Sequence, residues 1–387
     1  MDPHIVVFIA DEFRSDGLGH MGNPAAVTPN ADRLLRDGVS FRHVYCQVAE
    51  CTPSRASFLT GWYPHTRGHR NMASMLRPDD PILIRRARDA GYLTWWGTGR
   101  SFDPPDPAFG MDAYCEISYD GKTRCDLEVV GRSKPKDSSH HTGPIDDAED
   151  LEFPDWYASN EAVDMIRRTP IDRPLFLHLD LAAPHPPYRI GRTYYDMIDP
   201  DRLPPRIPAP CDWSGLPSRY HLAWQTNRTV QGWTETRWNE LRRTYYGACA
   251  RVDDQLGQVI AALKDRGIYD DTALFFFSDH GEMLMDHNLG GKSARHYDAV
   301  IRIPLIVAGP GLKQGSTCDL FVQHEDICPT VLDMHETLLE QHPRPLSRRG
   351  VGDGHPVCAG RSLIPLCKGE QVSGWRQSAF SESFGNL

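Results

Sequence analysis

Cys51-Thr52-Pro53-Ser54-Arg55 runs directly into Ala56-Ser57-Phe58-Leu59-Thr60-Gly61. Thr52 reads as an N-cap and Pro53 as the first helical residue, so Ser54 to Leu59 is expected to begin a short helix that Gly61 ends. Cys51 then sits at the mouth of that helix. Unsatisfied backbone N–H groups and the positive end of the helix dipole favour an anionic group there, and Arg55, one turn along, can lean back toward it. A thiolate nucleophile is one chemistry for such a place, because a helix N-terminus lowers the pKa of a cysteine. The phosphotyrosine-phosphatase loop, however, spaces its arginine farther from its cysteine. A buried cysteine before an ordinary capped helix is the plain alternative, since free cysteine is commonly a small core residue.

Outward from this stretch, two apolar runs end in groups able to bind a metal. Ile5 to Ala10 is rich in Ile and Val, as a buried parallel strand should be, and leads into Asp11-Glu12. Thr272 to Ser278 is a second such run and leads into Asp279-His280. Ligands of open α/β sheets gather beyond the carboxyl ends of strands, and adjacent acids there call for a compensating cation. Two solvated loop acids are the plain alternative. If the two strands are neighbours in one parallel sheet, their ends converge, and with residue 51 they would make a metal site. Between them the chain alternates: helices over Pro81–Ala90 and Asn160–Arg168, strands over Tyr92–Gly97 and Pro174–Leu181. A long amphipathic helix follows, from Leu241 to Arg266, with Arg251 and Asp253-Asp254 on its polar edge and Gly267 as its stop.

The Cys51 motif, preceded by Thr28-Pro29-Asn30-Ala31-Asp32-Arg33-Leu34 and followed by Gly61-Trp62-Tyr63-Pro64-His65-Thr66-Arg67-Gly68, resembles the signature of the formylglycine-dependent sulfatases. These belong to the alkaline phosphatase-like superfamily, which also holds phosphonate monoester hydrolases. The resemblance continues at Ala183-Pro184-His185-Pro186-Pro187-Tyr188, at Asp279 to Met283, at Lys292 and at Arg302 to Val307. It implies an α/β fold with a large, mostly parallel central sheet and helices on both faces, over a single domain spanning 1–387 with a shortened C-terminal subdomain. It also implies that Cys51 is converted to formylglycine (3-oxoalanine) by a formylglycine-generating enzyme and attacks as a hydrated aldehyde. Asp11, Glu12, Asp279, His280 and an oxygen of residue 51 would hold one divalent cation. Ca²⁺ is the first expectation for so oxygen-rich a set, and the imidazole keeps Mn²⁺ in play alongside Mg²⁺. Arg55 and Lys292 would hold the ester oxygens and His185 would protonate the leaving alkoxide. Asn71 stands where relatives place an active-site amide.

Two departures from the family pattern matter. Glu12 stands where the family usually has a second aspartate. After the Tyr92 strand, many sulfatases carry Gly-Lys-Trp-His-Leu-Gly, and this chain has Gly97-Thr98-Gly99-Arg100-Ser101-Phe102. Thr98 or Arg100 is left to contact substrate there, but an arginine cannot shuttle a proton. The first expectation is therefore a sulfatase acting on a sulfate ester of a small alcohol, phenol or sugar. A phosphonate or phosphate mono- or diester hydrolase using the same site is the alternative, and a non-catalytic anion-binding protein the third reading.

A formal net charge of −10 argues against a general nucleic-acid binder, without forbidding a locally cationic site for an anionic substrate. No apolar run approaches a membrane span. The start, Met1-Asp2-Pro3-His4, has no basic and apolar leader, so a cytoplasmic location is expected, or a periplasmic or secreted one if a leader was removed. The ten cysteines, scattered over a long chain, read as reduced thiols. Residues from about 101 to 155 show no period and read as a long excursion concerned with substrate selection, in which His140-His141 are solvated. A homo-oligomer is left open.

Overall fold

The structure is a computed structural model that describes residues 2–99, 105–120, 141–170, 172–212, 214–218, 233–292, 296–335 and 359–384. Its centre is β1 (His4–Asp11), buried along its whole length. Because side chains alternate across a strand, Val6, Phe8 and Ala10 enter one apolar cluster and Ile5, Val7 and Ile9 another. A strand buried on both faces needs helices on both, and has them. The Pro154–Arg168 and Glu235–Arg266 helices pack on the first face. The Cys51–Thr60, Leu83–Asp89 and Ile327–Asp333 helices pack on the second.

The neighbours of β1 are β6 (Leu175–Pro184) and β8 (Thr272–Ser278), both parallel to it. Beyond β6 come β3 (Leu93–Thr98) and β4 (Ile117–Asp120). Beyond β8 comes β10 (Leu305–Ala308), antiparallel, followed by β2 (Gly38–Tyr45) and β11 (Ser316–Gln323). The short β9 (Arg302–Ile303) also pairs with β2. The sheet is thus mixed but mainly parallel, as expected. A separate pair joins β5 (His141–Ile145) to β7 (Tyr188–Gly191).

Several local expectations shift. The Cys51 helix begins at Cys51 itself with Glu50 as N-cap, so the cysteine lies in the first turn; Gly61 does end it, at φ 68°. The described residues between 105 and 155 are more regular than an excursion without a period implied, because β4 and β5 draw their partners from distant strands. His140 lies outside the described residues. His141 is buried in β5 with Nε2 3.3 Å from Thr244 Oγ1, not solvated. Arg251 and Asp253 are likewise buried and not on a polar edge. The eight described cysteines are all free thiols, and among the described residues no helix is long and apolar enough to cross a membrane.

Candidate active site

The register of the central strands builds the site. Ala10 lies opposite Ser278, so Asp11 at the end of β1 and Asp279 just beyond β8 come out side by side. Cys51 reaches the same place from the buried first turn of its helix. Asp11, Cys51, Asp279 and His280 each offer one ligand atom, and these atoms lie within 4.8 Å of one another. Cys51 Sγ is 3.3 Å from His280 Nε2 and 3.7 Å from Asp11 Oδ1. His280 Nδ1 donates to the Gly281 carbonyl at 2.9 Å, which leaves the Nε2 lone pair facing the cluster. Burial holds the imidazole well below its usual range, and therefore neutral, despite Asp279 beside it. A neutral ring presenting Nε2 is the ligating form.

Arg55 sits behind the cluster, fully buried. Its Nε donates to Asp279 Oδ2 at 3.0 Å, Nη1 to Asp180, and Nη2 approaches Asp11 Oδ2 at 3.9 Å. Lys292 stands at the front, with Nζ 2.9 Å from Cys51 Sγ and an ion pair to Glu12. Burial works against its charge, but Glu12 and the Cys51 sulfur push its pKa up. Glu282 accepts the backbone N–H groups of Gly291 and Leu284 and so anchors the loop that carries Lys292. Burial, with Glu12 adding to it, lifts the Glu282 carboxyl to about 7.

Glu12 has φ 63°, a conformation that a non-glycine residue adopts at a cost of roughly 1–3 kcal/mol. Its N–H donates to Asp279 Oδ1 and its carbonyl accepts from Tyr245 Oη at 2.7 Å, which holds that backbone in place. The side chain turns to Lys292 and to His185 Nε2, 3.6 Å away, and does not join the four-residue cluster. Its carboxyl is also buried against that of Glu282, with which it shares a side-chain hydrogen bond.

The donor set fits a divalent cation. Four buried carboxylates, Asp11, Glu12, Asp180 and Asp279, face two cationic side chains, Arg55 and Lys292, and buried carboxylates in excess are costly unless another positive charge balances them. The Nε2 lone pair of His280, aimed at the cluster beside Cys51 Sγ, suits the same cation.

A family model described as Sulfatase matches residues 3–336. The chain belongs to the sulfatase family. It is 29% identical to the multifunctional alkaline phosphatase superfamily protein PehA of Trinickia caryophylli, over 96% of this chain and 78% of that one. It is 28% identical to an arylsulfatase of Clostridium perfringens, over 86% of this chain and 75% of that one. Among solved structures, the phosphonate monoester hydrolase of Agrobacterium radiobacter aligns with a TM-score of 0.79 at 25% identity, covering 98% of this chain and 80% of that one. The phosphonate monoester hydrolase of Silicibacter pomeroyi aligns with a TM-score of 0.77 at 28% identity, covering 98% and 79%. Together with the buried cluster, these likenesses make the protein a metal-assisted hydrolase of the sulfatase and alkaline phosphatase superfamily.

In this sulfatase-family chain a cleft of about 500 Å³ opens over Asp11, Cys51 and Lys292. His185 lines it, on the turn that follows β6. A second surface cleft, of about 580 Å³, lies by Thr272 at the opposite end of β8 and holds none of these residues. Asn71 is exposed and its Oδ1 accepts from Ala73 N–H and Ser74 Oγ; its neighbour Met72 lines the cleft instead. Arg100 lies outside the described residues. Sequence reasoning missed Asp180, although an acid inside the apolar run Leu175–Leu181 is a signal, since carboxylates are rarely buried without a partner. It also missed Asp155 and Arg251, which line the cleft on the side of His185.

Proposed function

We propose that this protein hydrolyses phosphonate or phosphate esters, mono- or diesters, with formylglycine at position 51 as its nucleophile. One observation carries the preference. Among the described residues lining the cleft, Lys292 is the single lysine and His185 the single histidine, so the second lysine and histidine that many sulfatases bring after the third strand have no counterpart there. The likeness to two phosphonate monoester hydrolases supports the same reading. Sulfate-ester hydrolysis is the second reading, favoured by the arylsulfatase relative.

As encoded, residue 51 is a poor nucleophile. Burial lifts its thiol to about 12 against the opposing pull of Lys292 and Arg55, and the thiol form does not attack. Conversion to the hydrated aldehyde would supply a hydroxyl in its place. Asp11, Asp279, His280 and residue 51 would hold the cation, with Glu12 at their edge; Ca²⁺ is the first candidate and Mn²⁺ the next. A bound cation would neutralise ester charge and lower the pKa of a hydroxyl beside it. Lys292, at the front, would hold an ester oxygen, while Arg55 keeps Asp279 and Asp180 in place. His185 would give a proton from Nε2 to the departing oxygen. Its ring is aimed by the Nδ1 contact with the Pro186 carbonyl, 2.5 Å away.

The test is peptide mass spectrometry across Ala49–Arg67 on protein co-expressed with a formylglycine-generating enzyme, with parallel assays on an aryl phosphonate and an aryl sulfate. Aldehyde at residue 51 and faster phosphonate turnover are expected. Faster sulfate turnover would favour the second reading, and an unmodified thiol with neither activity would remove both.

A further inference from the structure

The turn that presents His185 is held from behind by groups that the chemistry above does not use. Asp155, in the first turn of the Pro154–Arg168 helix, accepts two backbone N–H groups where β6 ends: Ala182 at 2.8 Å on Oδ1 and Ala183 at 2.9 Å on Oδ2. Both oxygens of one carboxylate are thus spent on consecutive amides, which fixes the position and the direction of the chain leaving the strand. The Ala182 carbonyl in turn accepts the His185 N–H at 2.9 Å and closes the turn.

Asp155 is itself restrained. Arg251, from the Glu235–Arg266 helix, reaches Asp155 Oδ2 with Nη2 at 3.4 Å and Asp150 Oδ1 with Nη1 at 2.7 Å. All three side chains are at least 97% buried. The Arg251 guanidinium also lies 5.1 Å from the centre of the Phe153 ring, and Arg189 covers that ring at 4.2 Å. Gly99, at the end of β3, allows this close packing, because a Cβ there would fall 2.0 Å from Asp155 Oδ1. A buried carboxylate and guanidinium are costly to keep and unforgiving of displacement, so the unit is stiff.

We propose that Asp155 and Arg251 are positioning residues that set the placement of His185 against the leaving group. The inference rests on the reading of His185 as the group that protonates the departing oxygen. A displacement of about 1 Å can cost on the order of a hundredfold in such a step. That loss falls on poor leaving groups, which need the proton, more than on good ones, which do not.

The experiment compares kcat/KM for para-nitrophenyl and phenyl esters of phenylphosphonate in the metal-loaded, formylglycine-bearing enzyme and in Asp155→Asn, Arg251→Lys, His185→Ala and the Arg251→Lys/His185→Ala double variant. Arg251→Lys keeps a cation in the buried cluster and decides the matter if Asp155→Asn does not fold. The expected result is a loss on the phenyl ester at least about tenfold greater than on the nitrophenyl ester, in the positioning variants as in His185→Ala. The double variant should lose no more than His185→Ala alone, because one acts through the other. Equal losses on both esters in Arg251→Lys, or losses that multiply in the double variant, would overturn the proposal and make Arg251 a substrate contact or a structural residue. If His185→Ala itself shows no leaving-group selectivity, the reading of His185 as proton donor falls first.

Discussion

At the scale of single residues the site works by contrasts between neighbours. Asp279 and His280 are adjacent in sequence, yet one is a carboxylate bound by Arg55 and the other a neutral imidazole whose Nε2 lone pair faces the cluster and Cys51 Sγ. Arg55 and Lys292 are both cations, but Arg55 is fixed behind the carboxylates while Lys292 stands at the cleft beside residue 51. The planar fork of an arginine suits the first task and the point charge of a lysine the second. Cys51→Ala is expected to reduce kcat by at least about a thousandfold, as removal of a covalent nucleophile does, while the thermal midpoint moves little. Steady-state kinetics on an aryl phosphonate and a melting curve check it. A kcat comparable to that of the unaltered enzyme would refute the nucleophile assignment.

At the scale of elements, helix ends draw on residues far away in the chain. Thr28 precedes the Pro29–Arg36 helix, as its sequence leads one to expect, but its hydroxyl accepts from Gly19 N–H and caps nothing in the helix. The cap comes from Asp253, whose carboxylate accepts Asn30 N–H at 3.0 Å and Ala31 N–H at 2.7 Å. Burial lifts the Asp253 carboxyl from its ordinary 3.8 to about 6, although those N–H groups pull the other way. The folded protein therefore binds this proton more tightly than the unfolded chain. Its contribution to stability is greatest below pH 4, declines as pH rises toward 6 and is level above. Relative to Asp253→Asn, the unaltered protein is expected to lose up to about 3 kcal/mol across that window. Urea unfolding of both proteins between pH 4 and 7 measures the difference, and a difference independent of pH would exclude the effect.

At the scale of the whole molecule, the site exists because β1 and β8 are neighbours and parallel. Asp11 and Asp279 are 268 positions apart and meet only through that pairing. A cation held by Asp11, Cys51 and Asp279 would tie the two strand ends and the Cys51 helix together, and whatever binds only the folded form stabilises it. Saturation at a hundredfold excess over the dissociation constant is worth about 2.7 kcal/mol. Chelation is accordingly expected to lower both the melting temperature and the activity, and added divalent cation to restore both. Asp279→Ala should show no such shift in melting. An unaltered protein whose melting ignores chelator and cation alike would remove the metal site.

Unlike β2, β4, β5 and β11, the strands β1, β3, β6 and β8, the strand ends at Asp11 and Asp279-His280, and the motif around Cys51 were legible in the sequence. They are local patterns: an apolar run of strand length, a proline at a helix start, a glycine at its end. The residues that were not legible act across distance. Asp180 looks like an interruption in an apolar strand until Arg55 is placed against it. Arg251 looks like the polar edge of a helix until the packing of that helix buries it beside Asp150 and Asp155. Glu12 is written as a strand-end acid, but that its side chain pairs with Lys292 is set by a backbone held by Tyr245 and Asp279. Sequence by itself determined the groups of the four-residue cluster, Asp11, Cys51, Asp279 and His280, because those are written at strand ends and a helix start. Tertiary structure alone decided which of them face the cleft and which hold the others in place, because that choice depends on burial and on partners brought together only by the sheet register.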